Sequence, residues 1–274
     1  MVSTRLSTIR VEKPWGRHRL WPGFEDPAPE GGAIGEIWFE APAGREPDLL
    51  VKYLFTSERL SIQVHPNDAE ARARGHARGK DEAWVILDAE PGATIALGTV
   101  RPVSRDALRA AALDGSIEQL MDWKPVRAGD VIYSPAKTVH AIGAGITLIE
   151  VQQNVDLTYR LYDYGRPREL HLDDGIAVSE AMPFAVAPLP PEIAPGRRML
   201  AQSGKFVMER WTRAGEHRVV LDAPGWLVPV SGGGSIDGAA FEAGECWLVE
   251  QAADIRLAAG ADVLFASPKG FALS

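Results

Sequence analysis

The chain has 274 residues, of which 46% are hydrophobic and 24% charged, with a formal net charge of −8. This length can bury a sizeable core, while an acidic chain with scattered Lys and Arg lacks the concentrated positive field that nucleic acid or an anionic membrane needs. A single cysteine, Cys246, excludes an intrachain disulfide, and with no signal-like apolar core and no run of about 18 apolar residues the chain reads as cytoplasmic.

Glycine (27) and proline (20) together make up roughly 17% of the residues, against about 12% in average usage. Such an excess of chain breakers favours many short strands over long helices. Apolar or alternating runs bounded by turn residues recur in order at Leu49–Phe55, Leu60–Val64, Ala83–Leu87, Val131–Tyr133, Ile146–Gln152 and Tyr159–Tyr162. They continue at Phe206–Trp211, Trp226–Val230, Cys246–Val249 and Val263–Ala266. This spacing predicts an all-β sandwich or barrel. A capping-box pattern at Asn67 and Glu70 opens a short helix that stops at Gly75. Ser104 to Leu113 predicts a second helix, with Leu108, Ala111 and Ala112 on one face, and Ser116 with Gln119 offers another capping box. The five prolines between Met182 and Pro195 mark a linker, dividing the chain into 1–181 and 196–274.

A faint repeat crosses that division. Gly129 to Val151 aligns without gaps on Gly244 to Ala266, pairing Gly145 with Gly260 and Leu148-Ile149 with Val263-Leu264. Two related β-barrels in tandem would give this pattern.

Several polar residues interrupt the apolar strands. In Leu60 to His65, period two sends Ser61, Gln63 and His65 to one face, either as a solvated edge or as ligands. Lys80 and Glu82 share parity at the mouth of an otherwise apolar strand, where a carboxylate is a turn residue or a hard ligand. His140 follows a proline-bearing loop as a core histidine or a third donor. Taken together, Gln63, His65, Glu82 and His140 suit zinc or another first-row divalent ion. Asp156, Thr158 and Arg160 face one side if extended, as an exposed ion pair or as an acid/base carboxylate with an anion-binding guanidinium. Ser231-Gly-Gly-Gly234 reads as a hairpin turn, because no Lys-Ser/Thr and no helix follow it.

With KPWG (Lys13 to Gly16), LSIQVHPND (Leu60 to Asp68), GKDEAWVIL (Gly79 to Leu87), PAKTVHAIGAG (Pro135 to Gly145) and the run Leu148 to Asp173, the chain resembles short bacterial type I mannose-6-phosphate isomerases of the cupin superfamily, over roughly Val11 to Val178. The resemblance implies tandem cupin (jelly-roll) barrels: a metal-binding barrel in 1–181 with a helical insertion near 101–123, and a degenerate, metal-free barrel in 196–274. It implies one Zn²⁺ per chain, or another divalent ion, on Gln63, His65, Glu82 and His140. Lys80, Asp156 and Arg160 become the catalytic group, and Lys13 and Trp15 lie near the substrate end. Two departures, Arg17 and Lys137 in place of the family's glycines, add positive charge near the expected mouth and are assigned to substrate binding. The implied reaction interconverts mannose 6-phosphate and fructose 6-phosphate through an enediol. The rivals are a non-catalytic cupin that binds a sugar phosphate through the same metal, and an iron dioxygenase. In the repeat, His140 falls on Ile255 and Glu82 on Pro224, leaving His217 as the second barrel's imidazole.

Overall fold

A computed structural model describes residues 3–21 and 23–274. The chain is all-β, with four sheets in two pairs. The first large sheet orders its strands Ser7–Arg17, Ile34–Glu40, Leu49–Thr56, Ile146–Gln153, Glu82–Ala89 and Val131–Ser134. Facing it is the small sheet Tyr159–Tyr162, Ile62–Val64, His140–Ile142, Thr94–Thr99 and Met121–Pro125. The second large sheet runs Glu192–Ala194, Arg197–Gln202, Val207–Trp211, Asp262–Ser267, Gly225–Ser231 and Trp247–Val249, to which Thr4–Arg5 adds a seventh strand. Its partner orders Phe271–Leu273, Gly215–Leu221, Ala252–Leu257, Gly234–Ile236 and Ala239–Phe241. Strand for strand, the second pair repeats the order of the first. The expected tandem jelly-roll architecture is therefore observed, and the faint repeat is the trace of its second half.

The two large sheets pack outer face to outer face. Tyr53, Phe55, Val85 and Ile149 of one share a core with Phe206, Met208, Trp226 and Leu264 of the other. Every residue of Leu49–Thr56 and of Ile146–Gln153 is buried, because these strands have the barrel interior on one side and the second barrel on the other. That is why Leu49–Phe55 reads as an apolar run broken only by Lys52, rather than as an alternating one. Cys246 lies in this shared core, and burial pushes its thiol well above the usual range.

The outer face of the first small sheet is covered by helices. Leu108, Ala111, Ala112, Ile117, Ile176 and Val178 pack on Ile62, Val64, Ala141 and Leu161. Asp68–Arg72 starts with the expected Asn67/Glu70 capping box, and Arg105–Asp114 starts on the Ser104 side chain and stops at Gly115 in the left-handed conformation. The second predicted box does not form. Ser116 is itself helical, its side chain caps nothing, and its amide donates to Asp114 Oδ1 instead. Leu172–Val178 is a helix that the sequence reading did not anticipate. Within the proline-rich stretch, Pro183 bridges to Gly98 and Glu192–Ala194 forms a strand. The Ser231–Gly234 turn leads from the large to the small sheet of the second barrel and closes no hairpin.

Candidate metal centre and adjoining cavity

The strand Ile62–Val64 pairs with His140–Ile142 so that Gln63 lies opposite His140, and His65 follows at the strand's end. Glu82 begins the facing strand of the large sheet, opposite Gln152 and Ser134. Two sheets thus converge three side chains inside one barrel. Their ligand atoms all lie within 4.8 Å of one another, and all three residues are buried. His65 Nδ1 donates to Leu157 O at 2.9 Å and His140 Nδ1 to Thr138 O at 2.9 Å. With Nδ1 protonated, each ring turns a bare Nε2 inward, the tautomer a metal requires. His65 Nε2 stands 3.2 Å from Glu82 Oε1, and His140 Nε2 stands 3.6 Å from Glu82 Oε2. His65 Nε2 and Glu82 Oε2 are buried without a hydrogen bond, and Glu82 Oε1 has the Lys80 ammonium at 2.9 Å but no well-directed bond. The inward lone pairs are therefore costly to bury unless a divalent ion fills the site. Gln63 Nε2 lies 3.3 Å from His140 Nε2, and Ser61 Oγ donates to Gln63 Oε1 at 3.0 Å. Rotating that amide exchanges nitrogen for an oxygen donor.

The charges are arranged to match. Burial, helped by the Lys80 ammonium, lowers His65 to about 3, and burial also lowers His140, so both rings are neutral. Burial opposes ionisation of Glu82, but the Lys80 ammonium, with Nζ at 2.9 Å, holds its carboxyl well below the usual range. Two neutral imidazoles and one carboxylate form a donor set for a borderline divalent ion.

Beside this cluster opens a cavity of about 400 Å³, within the range of small-ligand sites. Lys13, Trp15, Gln63, Lys80, Asp156 and Arg160 all line it. Lys13 and Trp15 reach it because Lys13-Pro-Trp-Gly16 bulges from an edge strand, with both Glu12 and Arg17 in register with Ile34. An edge is where a strand tolerates proline. Arg160 is set across from Gln63, and its Nε donates to Glu169 O at 2.9 Å.

Arg17 and Lys137 do not line this cavity. Arg17 donates to Thr56 O at 2.9 Å and pairs with Glu90 at 3.1 Å, in a separate outer groove. Lys137 pairs with Glu180 at 2.6 Å and adopts φ 76°, a left-handed conformation natural to glycine. Both cations are taken up by neighbouring carboxylates. The register also moves one match in the repeat: Gly225, opposite Val249, occupies the place of Glu82, not Pro224.

The sequence reading missed Glu36, Lys52, Glu150, Arg168 and His171, which also line the cavity. Lys52 Nζ lies 3.6 Å from Glu36 Oε2, 3.7 Å from Glu150 Oε1, and 4.2 Å from the centre of the Trp38 ring. Trp84 Nε1 donates to Glu150 Oε2 at 3.0 Å. Burial and the nearby Glu82 charge raise Glu150 to about 7. The available signal was a lone Lys in LLVKYLFT and a lone Glu in ITLIEVQQ, since charges are rarely buried unless they pair. His171 Nδ1 accepts from the Arg160 amide at 3.2 Å, and Arg168 binds both oxygens of Asp163.

Fold and site together define a two-barrel cupin protein with a His/Glu/His centre in its first barrel. No protein-family model matches the chain. Over 197 residues it is 36% identical to the mannose-6-phosphate isomerase of Streptococcus mutans, covering 68% of this chain and 61% of that protein. Over 164 residues it is 39% identical to mannose-6-phosphate isomerase ManA of Bacillus subtilis, covering 55% and 52%. The chain thus spans between half and two thirds of the length of these relatives. Its fold matches the crystal structure of the Bacillus subtilis mannose 6-phosphate isomerase with a TM-score of 0.82 at 24% identity, over 97% of this chain and 100% of that one. It matches a zinc-bound mannose 6-phosphate isomerase with a TM-score of 0.74 at 15% identity, over 98% and 100%. The chain is a relative of the mannose-6-phosphate isomerases, as its five motifs imply.

Proposed function

We propose that this chain is a zinc-dependent aldose–ketose isomerase that interconverts mannose 6-phosphate and fructose 6-phosphate. The observation that carries the reading is the His65/Glu82/His140 cluster, with its buried unbonded ligand atoms, beside a cavity lined by both carboxylates and cations. The names of the relatives and the zinc-bound neighbour support the substrate and the metal. Gln63, His65, Glu82 and His140 hold one ion per chain. A divalent ion supplies Lewis-acid stabilisation of the charge that grows on substrate oxygens when the carbon acid ionises.

The protein's own groups do the rest. Asp156 and Lys80 carry the proton between C1 and C2 and assist at the sugar oxygens, as the ligating histidines have no free nitrogen to offer. Arg160 supplies fixed positive charge to an enediol oxygen or to the phosphate. Lys52, between Glu36 and Glu150, keeps the cavity wall charged and ordered. Trp15, 2% exposed, closes one side against water.

The test is a coupled assay on mannose 6-phosphate with zinc-reconstituted protein. Turnover that requires the metal supports the isomerase. Zinc and sugar-phosphate binding without turnover would instead establish a non-catalytic cupin.

A further inference from the structure

We infer that the Ser203–Phe206 turn of the second barrel is a positioning device for the metal-site segment of the first, acting through Asp68. This inference rests on the reading of His65, Glu82 and His140 as metal ligands. Lys205 Nζ crosses between the barrels and donates to Asp68 Oδ2 at 2.6 Å. The other oxygen, Asp68 Oδ1, accepts from the Gly79 amide at 2.9 Å and from Gln153 Nε2 at 3.0 Å. Gln153 Oε1 then accepts from the Asp81 amide at 3.1 Å, and the Gln153 amide donates to Asp81 O at 3.1 Å. The residues on both sides of Lys80 are therefore tethered, and Glu82 is next in the chain.

A second connection comes from the same turn. The Tyr133 hydroxyl donates to the Asp81 carboxylate, which also accepts from the Ala136 amide at 3.2 Å. The Tyr133 ring packs against Phe206 with centroids 5.9 Å apart. Asp68 also lies three residues beyond His65, so it joins the two segments that bear ligands. Their backbones touch there. A Cβ on Gly79 would meet Pro66 O at 2.5 Å, and Lys80 N donates to Pro66 O at 3.1 Å. The two segments are joined at this point.

An exposed ion pair contributes little, but the Asp68 side chain is only 20% exposed and accepts three directed bonds. Groups that orient metal ligands change metal affinity by about 10- to 100-fold when removed. The same barrel supplies a control in Arg210, which pairs with Asp262 away from the ligands.

The experiment loads wild type, Lys205→Met, Lys205→Arg, Asp68→Asn, the Lys205→Met/Asp68→Asn double variant and Arg210→Met with zinc. It measures the rate of zinc transfer to a chromophoric chelator, alongside Tm. Lys205→Met and Asp68→Asn are expected to speed release about tenfold. Lys205→Arg and Arg210→Met should stay within about twofold of wild type, and the double variant should not exceed Asp68→Asn, because both act on one path. Release within about twofold of wild type in every variant, whatever the Tm, overturns the positioning role. A wild-type chain that takes up no zinc overturns the metal reading and this inference with it.

Discussion

The two barrels share one strand order yet have opposite interiors. In the first, Gln63, His65, Glu82 and His140 converge beside a charged cavity. In the second, register and spacing put His217, Val219, Gly225 and Ile255 at the corresponding places, and Trp211, Phe241 and Phe265 fill the middle. Trp211 and Phe265 stack with centroids 4.8 Å apart. Phe265 takes the place of Glu150, and Gly225 leaves it room, since a Cβ there would meet the Phe265 ring at 2.5 Å. Even the buried ion pair is inverted: Glu36 with Lys52 in one barrel corresponds to Arg197 with Glu209 in the other. The fold therefore does not require a polar interior. An aromatic core stabilises one copy, and the other gives up that packing for a site.

The largest expected effects come from removing what only the first barrel has. Glu82→Gln or His140→Ala should lose most bound metal by elemental analysis, since each removes a donor, while His217→Ala leaves the content unchanged. Two ions per chain in wild type would break the comparison. Next, Lys80→Met and Asp156→Asn should keep the metal and lose about 10² to 10⁴ in kcat, the usual worth of general acid–base catalysis. Near-normal turnover in both would remove the acid–base assignment.

The inverted ion pairs sharpen the contrast. Lys52→Met and Glu209→Gln each break a pair with at least one buried member and should lower stability in denaturant unfolding. The loss should be less than the roughly 3 to 5 kcal/mol of a fully buried pair, because Lys13 still reaches Glu36 and Arg197 is partly exposed. Lys52→Met alone should also depress turnover, because only Lys52 lines the cavity beside the His/Glu/His cluster. A smaller effect concerns the substrate's charge. Arg160→Ala should reduce the kcat/KM preference for mannose 6-phosphate over mannose by roughly ten- to a hundredfold, the worth of one charge-assisted contact of about 1.5 to 3 kcal/mol. Arg17→Ala and Lys137→Ala should leave that ratio unchanged, because their charges are directed to Glu90 and Glu180.

The smallest effect lies on the contact between the barrels. Burial resists ionisation of Asp68, but Lys205, the Gly79 amide and Gln153 bring its carboxyl down from 3.8 to about 2. The native state thus binds this proton more weakly than the unfolded chain does. The resulting stability is complete above pH 3.8 and disappears as pH falls through 2. It amounts to at most about 2 kcal/mol, and less where water screens the pair. Wild type and Asp68→Asn compared by denaturant unfolding across this range should converge at the acid end.

Chain breakers and short apolar runs located ten of the strands, because turn chemistry and period-two burial are local. They missed others such as Ile34–Glu40, Thr94–Thr99 and Gly215–Leu221, whose burial is set by the packed sheets. The Asn67 cap is local in the same way, whereas the donors were named through the resemblance of their motifs, and it is the structure that brings His65, Glu82 and His140 together. What the sequence could not show was which charges share a space. Lys52 and Glu150 are 98 residues apart and meet only because their strands are neighbours in one sheet, directly opposite each other. Arg17 and Lys137 lie within family-like motifs, yet their partners Glu90 and Glu180 belong to other segments. The tie from Lys205 to Asp68 exists only once the second barrel is seated on the first. Backbone preference and periodicity act over a few residues and are written in the chain. Electrostatic pairing in a low-dielectric interior depends on distances that only the folded barrels set.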